Sequence, residues 1–214
     1  AMSYESGIGT VNTLRNVKFS TIGGDASLRL TCDFDAALYY GVDHTDVEES
    51  EIPGLTCIVI PNTSQYDGVC SLYPNNAAVA LCPKSEERYP FDARGILQHE
   101  VGGHAFGKLA DEYIYHYGFI QTCTCSCCSH VQELQEMHDS GWGYNMWLSG
   151  KYKDVPWSHL INDNRYNDIV DIYEGGYFHK RGVYRSEYNS CMNNNVPYFS
   201  SWSRELIVQR IKDL

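Results

Sequence analysis

A histidine motif interrupted by two glycines constrains this chain more than any other feature of its sequence. Residues 99–107 are His-Glu-Val-Gly-Gly-His-Ala-Phe-Gly. The usual zinc motif has two helical histidines four residues apart, with a glutamate beside the first as general base. Here His99 and His104 are five residues apart. On an α-helix this spacing separates the two side chains by ~140°, against ~40° for a spacing of four, so a regular α-helix cannot direct both at one ion.

The glycine pair inside the motif is the natural place for the extra residue. Gly102 and Gly103 are poor helix formers, each about 1 kcal/mol less favourable than alanine. They permit a wide turn of the π type, which often occurs at functional sites. We therefore predict a local π-type insertion that returns His104 to the His99 face. The alternative is a glycine-weakened helix with two unrelated histidines.

The residues after the motif suggest a third metal ligand. In metzincin proteases, a glycine three residues after the second histidine ends the helix and turns the chain towards that ligand. Gly107 has this spacing, but Ala110, six residues after the second histidine, cannot bind a metal. Asp111 follows directly, and a carboxylate is an acceptable zinc ligand. We predict Asp111 as the third ligand, with Glu112 as the alternative; a solvated acidic pair at a helix end is the other interpretation.

Two blocks of the sequence resemble the immunoglobulin A peptidase family, zinc metalloproteases best known from gut bacteria. The first block is HEVGGHAFGKLADEY, and the second contains a Pro-Trp pair, a Tyr-Glu-Gly element and a Tyr-Arg element followed by Cys-Met, in the family's order. The resemblance covers roughly residues 54–210. The chain departs from the family in its histidine spacing, in Ser186 where proline is usual, and in a cysteine cluster. The dipeptidyl-peptidase III family also binds zinc through two histidines spaced by five.

The resemblance implies a role for individual residues. His99, His104 and Asp111 match the zinc ligands, and Glu100 matches the general base. Met192 matches the methionine that forms a hydrophobic floor under the metal in metzincins. The alternative is that Met192 is an ordinary buried methionine.

Tyr184 and Arg185 precede this methionine in the second block. A tyrosine hydroxyl near the metal could stabilise an oxyanion, and an arginine could hold a substrate carboxylate. The alternative is a core tyrosine and a structural arginine.

Charge and composition exclude some classes of protein. The chain has 214 residues and a formal net charge of −11, and its pI is near 5.1. Because nucleic-acid binding requires a basic face and no Lys/Arg cluster occurs, we expect no nucleic-acid partner. No apolar run approaches ~18 residues, so no membrane span is expected. The first residues lack the pattern of a signal peptide, whereas the resemblance implies a secreted or cell-surface protein.

The pattern of apolar residues predicts an α/β fold. Residues 55–60 form a continuous apolar run typical of a central strand, residues 66–72 suggest a bulged or edge strand, and residues 76–82 suggest a buried strand. Further predicted elements are a helix N-capped by Asp92, helices over residues 131–137 and about 202–212, and a helix starting at Pro156.

The predicted architecture is metzincin-like: a mixed twisted sheet with an active-site helix, followed by an irregular C-terminal subdomain. We expect a single catalytic domain over residues 1–214, with subdomains of about 1–107 and 108–214. In metzincins the edge strand before the active-site helix pairs with extended substrate, and residues 66–72 are the candidate here.

Residues 123–130 contain four cysteines and a histidine. A structural zinc site is one interpretation, since Cys125 and Cys128 have C-x-x-C spacing near His130. Disulfides to other cysteines in an exported protein, or a flexible loop with free thiols, are the others. The scattered cysteines are most simply buried small apolar residues.

Together these features predict a zinc-dependent endopeptidase with a protein or peptide substrate. An inactive, protease-derived peptide-binding module is the alternative, although an intact Glu100 argues against it. A zinc-stabilised structural domain is a weaker interpretation, because structural zinc sites have four protein ligands.

Overall fold

The computed structural model describes residues 30–114 and 128–214. The chain divides after Phe106 into two compact units. Helices and small β-sheets occur along the described ranges, so the predicted mixed α/β class is confirmed. No helix within these ranges combines the length and apolar character needed to cross a membrane. The expectation of one catalytic domain stays a prediction.

The first unit contains three helices and a single 3-10 turn in its described part. They are α1 (Phe34–Asp43), the 3-10 turn (Glu49–Glu51), α2 (Ala93–Leu97) and a π-helix (Gln98–Phe106). Helix α2 begins where predicted, because the Asp92 side chain accepts hydrogen bonds from the backbone N–H groups of Arg94 and Gly95. This cap fixes the start of the helical segment that carries the histidine motif.

Three short strands form the sheet of the first unit. They are β1 (Thr56–Val59), β2 (Val69–Leu72) and β3 (Ala78–Leu81). Within the described part of the sheet the order is β1-β3-β2, with β3 parallel to β1 and antiparallel to β2. All four residues of β3 are buried. Among the described strands β2 lies at an edge, in agreement with the edge strand predicted over residues 66–72.

The strand predicted over residues 55–60 is present as β1, but it is not central among the described strands. Among the described strands, β1 pairs only with β3 and lies at an edge. The side chains of Ile58 and Ile60 are 45% and 66% exposed. A continuous apolar run indicates a strand but does not show how many neighbours the strand has.

The π-helix packs against the sheet through apolar side chains. Ala80 and Cys82 from β3 and the residues after it form a buried cluster with Ile96 of α2. Val101 of the π-helix and Cys70 of β2 pack against this cluster. The histidine motif is therefore anchored to the sheet on its apolar face.

The second unit combines a two-stranded sheet with four helices in its described part. The elements are α3 (Cys128–Asp139), α4 (Ser158–Ile161), β4 (Val170–Gly176), β5 (His179–Glu187), α5 (Cys191–Asn194) and α6 (Ser201–Lys212). The three helices predicted in this half of the chain are confirmed as α3, α4 and α6. Strands β4 and β5 are antiparallel and are joined by Tyr177 and Phe178, both with positive φ.

Five cysteines have described side chains, and each is a reduced thiol. Cys32, Cys82 and Cys191 are buried, as predicted, and Cys57 and Cys70 are half-buried. The prediction for the cysteine cluster falls on residues 123–127, outside the described ranges, and on Cys128, of which only the helical backbone is described.

Candidate metal centre

The histidine motif adopts a π-helix. Nine residues, Gln98–Phe106, have this conformation. A π-helix is defined by i→i+5 hydrogen bonds, so residues five apart lie on neighbouring turns of the same face. The predicted wide turn at the glycine pair is confirmed, and it extends over the whole motif. This explains how a spacing of five brings both histidines to one side of the helix.

The two histidine rings lie close together on that face. The ring centroids of His99 and His104 are 4.9 Å apart, with an interplanar angle of 71°. One ligand atom each from His99, Glu100 and His104 lies within 4.8 Å of the other two. His99 and Glu100 are buried, and His104 is half-buried. The hypothesis of two unrelated histidines therefore does not fit the geometry.

The donor set fits a zinc ion. Imidazole nitrogen and carboxylate oxygen are both zinc ligands, with bonds of about 2.0–2.2 Å. Two such atoms on a tetrahedral ion are roughly 3.4 Å apart, so side chains already within 4.8 Å of one another reach a common ion by small rotations. Among the described residues, no cysteine or further histidine joins this group. In that part of the chain the arrangement resembles an open, catalytic type of site more than a closed structural one.

Glu100 lies against the glycine that precedes β2. A Cβ atom placed on Gly68 would lie 2.6 Å from Glu100 Oε1 and 3.0 Å from its Cγ. Only a residue without a side chain leaves the carboxylate in its present position. Burial, with smaller contributions from the charges of Glu100 and Cys70, raises the pKa of the Cys82 thiol beneath the helix.

Asp111, the predicted third ligand, lies in the second unit. It is half-buried, and its carbonyl oxygen accepts a hydrogen bond of 3.0 Å from the Tyr177 backbone N–H. On the next residue, the Glu112 backbone N–H donates to the Met192 carbonyl at 2.7 Å. Two backbone hydrogen bonds, one to Tyr177 and one to Met192, therefore hold the segment that follows the motif.

The Glu112 side chain is completely buried. Its Oε2 accepts a hydrogen bond from the Ser190 hydroxyl at 2.5 Å, and its Oε1 accepts one from the Asn145 amide at 2.9 Å. Burial raises the pKa of this carboxyl, whereas the hydrogen bonds from Ser190 and Asn145 act in the opposite direction. A solvated acidic pair does not describe this residue. Because both Glu112 oxygens are engaged inside the second unit, these contacts argue against Glu112 as a ligand.

Met192 is fully buried in the short helix α5. The helix ends at Asn195, whose φ of 56° places it in the left-handed region that Asn tolerates. The structure thus places the methionine on a tight turn whose carbonyl holds Glu112, one residue from Asp111.

The contacts of Tyr184 are those of a core residue. Its backbone pairs with Trp147 through two hydrogen bonds of 2.8 and 2.9 Å, and its ring packs against the buried cluster around Trp157. Burial, and then the neighbouring charge of Glu174, raises the pKa of its hydroxyl. These contacts favour the core interpretation over a role in stabilising an oxyanion.

Arg185 is buried and connects the strands of the β4–β5 hairpin. One terminal nitrogen donates to the carbonyls of Gly175 and Glu174, and the other donates to the Tyr188 carbonyl at 3.4 Å. Burial lowers the pKa of the guanidinium. These contacts favour a structural arginine over one that holds a substrate.

Three residues near the predicted site were not anticipated from the sequence. Gly68 limits the space around Glu100, and Asn145 and Ser190 hold Glu112. Ser190 stands two residues before Met192, so proximity to the predicted methionine turn was an available signal. No motif marks Gly68 or Asn145, because their partners are distant in sequence.

Comparison of the chain with protein-family models and with curated proteins finds no match in either case.

Proposed function

We propose that this chain is a zinc-dependent endopeptidase with a metzincin-like catalytic domain, as its resemblance to the immunoglobulin A peptidases implies. The observation that carries the proposal is the π-helix that brings His99, Glu100 and His104 together despite their unusual spacing. Histidines and a glutamate in this order are the donor set and base of metal-assisted peptide hydrolysis.

In this proposal the protein holds zinc through His99, His104 and Asp111. A bound zinc ion would polarise the scissile carbonyl and lower the pKa of a water molecule beside it. Glu100 accepts a proton from the attacking water and then donates it to the leaving amine. Its burial against Gly68 limits the orientations that the carboxylate adopts. A defined orientation favours proton transfer, because the base must lie within hydrogen-bonding reach of the proton.

The substrate in this proposal is a protein or extended peptide. Strand β2 lies at an edge of the described sheet, and Gly68, which lies against Glu100, directly precedes it. A peptide that paired with this edge through backbone hydrogen bonds would bind largely independently of its side chains. A secreted or cell-surface location remains the expectation from the resemblance.

Zinc content is the first test. We expect about one zinc per chain in the wild-type protein, measured by elemental analysis, and loss of that zinc in His99→Ala and His104→Ala. A wild-type protein that binds no zinc after reconstitution would contradict the proposal. The inactive peptide-binding module would then be the remaining interpretation. If both variants retained zinc at a similar level, the cysteine cluster would be indicated as the zinc site instead, and the proposal would be contradicted.

Peptide hydrolysis by a Glu100→Gln variant is the second test. We expect kcat to fall by about 10²–10⁴-fold, because the amide cannot accept the proton, while zinc content is unchanged. Glu49→Gln, which removes an exposed carboxylate on the 3-10 turn, is the matched control and should cleave like the wild type. Full activity in Glu100→Gln would rule out this residue as the base.

A further inference from the structure

The second unit contains two buried carboxylates with different partners. Glu112 and Glu187 are 0% and 5% exposed. Glu187 accepts a hydrogen bond from the Ser201 backbone N–H, at the first residue of α6. Glu112 instead lies in the segment that contains Asp111. Charged groups are seldom buried unless their partners have a defined arrangement, so each partner set indicates what the carboxylate stabilises.

We propose that Glu112 is a positioning residue that fixes the Asp111 segment to the Met192 turn and thereby sets the metal affinity of the site. The inference rests on the proposed zinc site. It assigns Glu112 a role distinct from that of a ligand, through contacts that all lie within the second unit.

The side chain and backbone of Glu112 reach the methionine turn at two points. The Ser190 hydroxyl, in the residue that caps α5, donates to Oε2 at 2.5 Å. The Glu112 backbone N–H donates to the Met192 carbonyl at 2.7 Å. Two attachments on either side of Cys191 restrict both translation and rotation of the segment relative to the turn.

Asn145 holds the residues on the N-terminal side of Asp111 in the same way. Its side-chain oxygen accepts from the Ala110 N–H at 2.7 Å, and its amide donates to the Ala110 carbonyl at 2.9 Å. The same amide donates to Glu112 Oε1 at 2.9 Å. One fully buried amide therefore connects the residues on both sides of Asp111.

Hydrogen-bond donors surround the Glu112 carboxyl. The hydroxyls of Ser190 and Ser203 and the amide of Asn145 surround its two oxygens, with the Ser203 contact the longest at 3.4 Å. Arg185 attracts the carboxylate electrostatically. Ser203 also lies in the first turn of the twelve-residue helix α6, where the helix dipole favours a negative charge. A glutamine in place of Glu112 would keep its shape but direct an amide N–H group at one of these donors, so that one contact would be lost.

The test compares Glu112→Gln with Glu187→Gln. Both variants remove one buried carboxylate from the same unit, but Glu187 is bonded to α6 and not to the Asp111 segment. We expect zinc affinity, measured by chelator competition, to fall about 10-fold or more in Glu112→Gln, since partners that orient metal ligands are worth 10–100-fold. We expect Glu187→Gln to lower the melting temperature while it retains wild-type zinc affinity.

The absorption spectrum of the cobalt-substituted protein provides a second readout. Its d–d bands should shift in Glu112→Gln and stay unchanged in Glu187→Gln, because only the first variant alters the ligand segment. Equal zinc affinity and identical spectra in the two variants would overturn the inference. If Glu112→Gln fails to fold, Ser190→Ala removes one of the same contacts, and wild-type affinity in that variant would overturn it as well.

The outcomes separate this inference from the proposed function. Zinc binding that is lost in His104→Ala but unaffected by Glu112→Gln would contradict the inference and leave the zinc site intact. Absence of zinc from the wild type would contradict both.

Discussion

The two units hold their candidate site residues in different ways. In the first unit, His99, Glu100 and His104 are neighbours in sequence and are brought together by the π-helical backbone itself. In the second unit, Glu112 depends on partners far along the chain: 33 residues away for Asn145 and 78 for Ser190. The side-chain positions in the first region are set by the local backbone, and those in the second region are set by tertiary contacts.

This difference shows what each region tolerates. A local backbone geometry is sensitive to the number of residues between the ligands. A geometry set by hydrogen bonds is sensitive to single buried polar groups, since an unsatisfied buried donor or acceptor is unfavourable by about 1–3 kcal/mol. Changes in sequence length should therefore affect the first region most, and conservative polar substitutions should affect the second.

The largest effect is expected from a fifth residue between the histidines, which raises their spacing from five to six. An alanine inserted between Gly103 and His104 breaks the match between ligand spacing and the i→i+5 repeat of the π-helix. We expect zinc affinity to fall by more than about 100-fold, because a ligand is worth more than the partners that orient it. Chelator competition measures the effect.

Deletion of Gly103 is the informative counterpart of this insertion. It restores a spacing of four, which an α-helix accommodates with the histidines ~40° apart. We expect zinc binding to survive the deletion. A deletion as harmful as the insertion would show that the histidines depend on contacts beyond the helix, and the contrast between the two regions would disappear.

A smaller effect is expected from Gly68→Ala. The new methyl group would lie 2.6 Å from Glu100 Oε1, so the carboxylate has to move. We expect kcat for peptide cleavage to fall by about 10–100-fold with zinc content unchanged, because small misplacements of a reacting group are costly. The double variant Gly68→Ala/Glu100→Gln should be no slower than Glu100→Gln alone; additive losses would show that Gly68 acts elsewhere.

The smallest effect is expected from Met192→Leu. Met192 is buried, but its hydrogen bond to Glu112 uses the backbone carbonyl, which the substitution leaves in place. Leucine has a similar volume, so we expect a loss of less than about 1.5 kcal/mol in unfolding free energy and nearly unchanged zinc affinity. Denaturant unfolding and chelator competition measure the two quantities. A large loss of affinity with little loss of stability would mean that the thioether itself matters.

Local patterns in the sequence were sufficient to predict several elements. The cap at Asp92, the wide turn at Gly102-Gly103 and the helix near the C-terminal end of the chain all follow from short-range preferences, and the structure contains each of them. Edge and centre could not be distinguished within the sheet. The apolar run of β1 resembled a central strand, and only the pairing order shows that β3 is central among the described strands.

The sequence by itself determined the chemistry of the candidate metal centre: two histidines, a glutamate between them and an acidic pair beyond the helix. It also determined that the helix had to widen, because a spacing of five is incompatible with an α-helix face. Tertiary structure alone decided which acidic residue is buried. Asn145, Ser190 and Ser203 enclose Glu112 because the fold brings distant polar groups around one carboxylate, and no local pattern records such an arrangement.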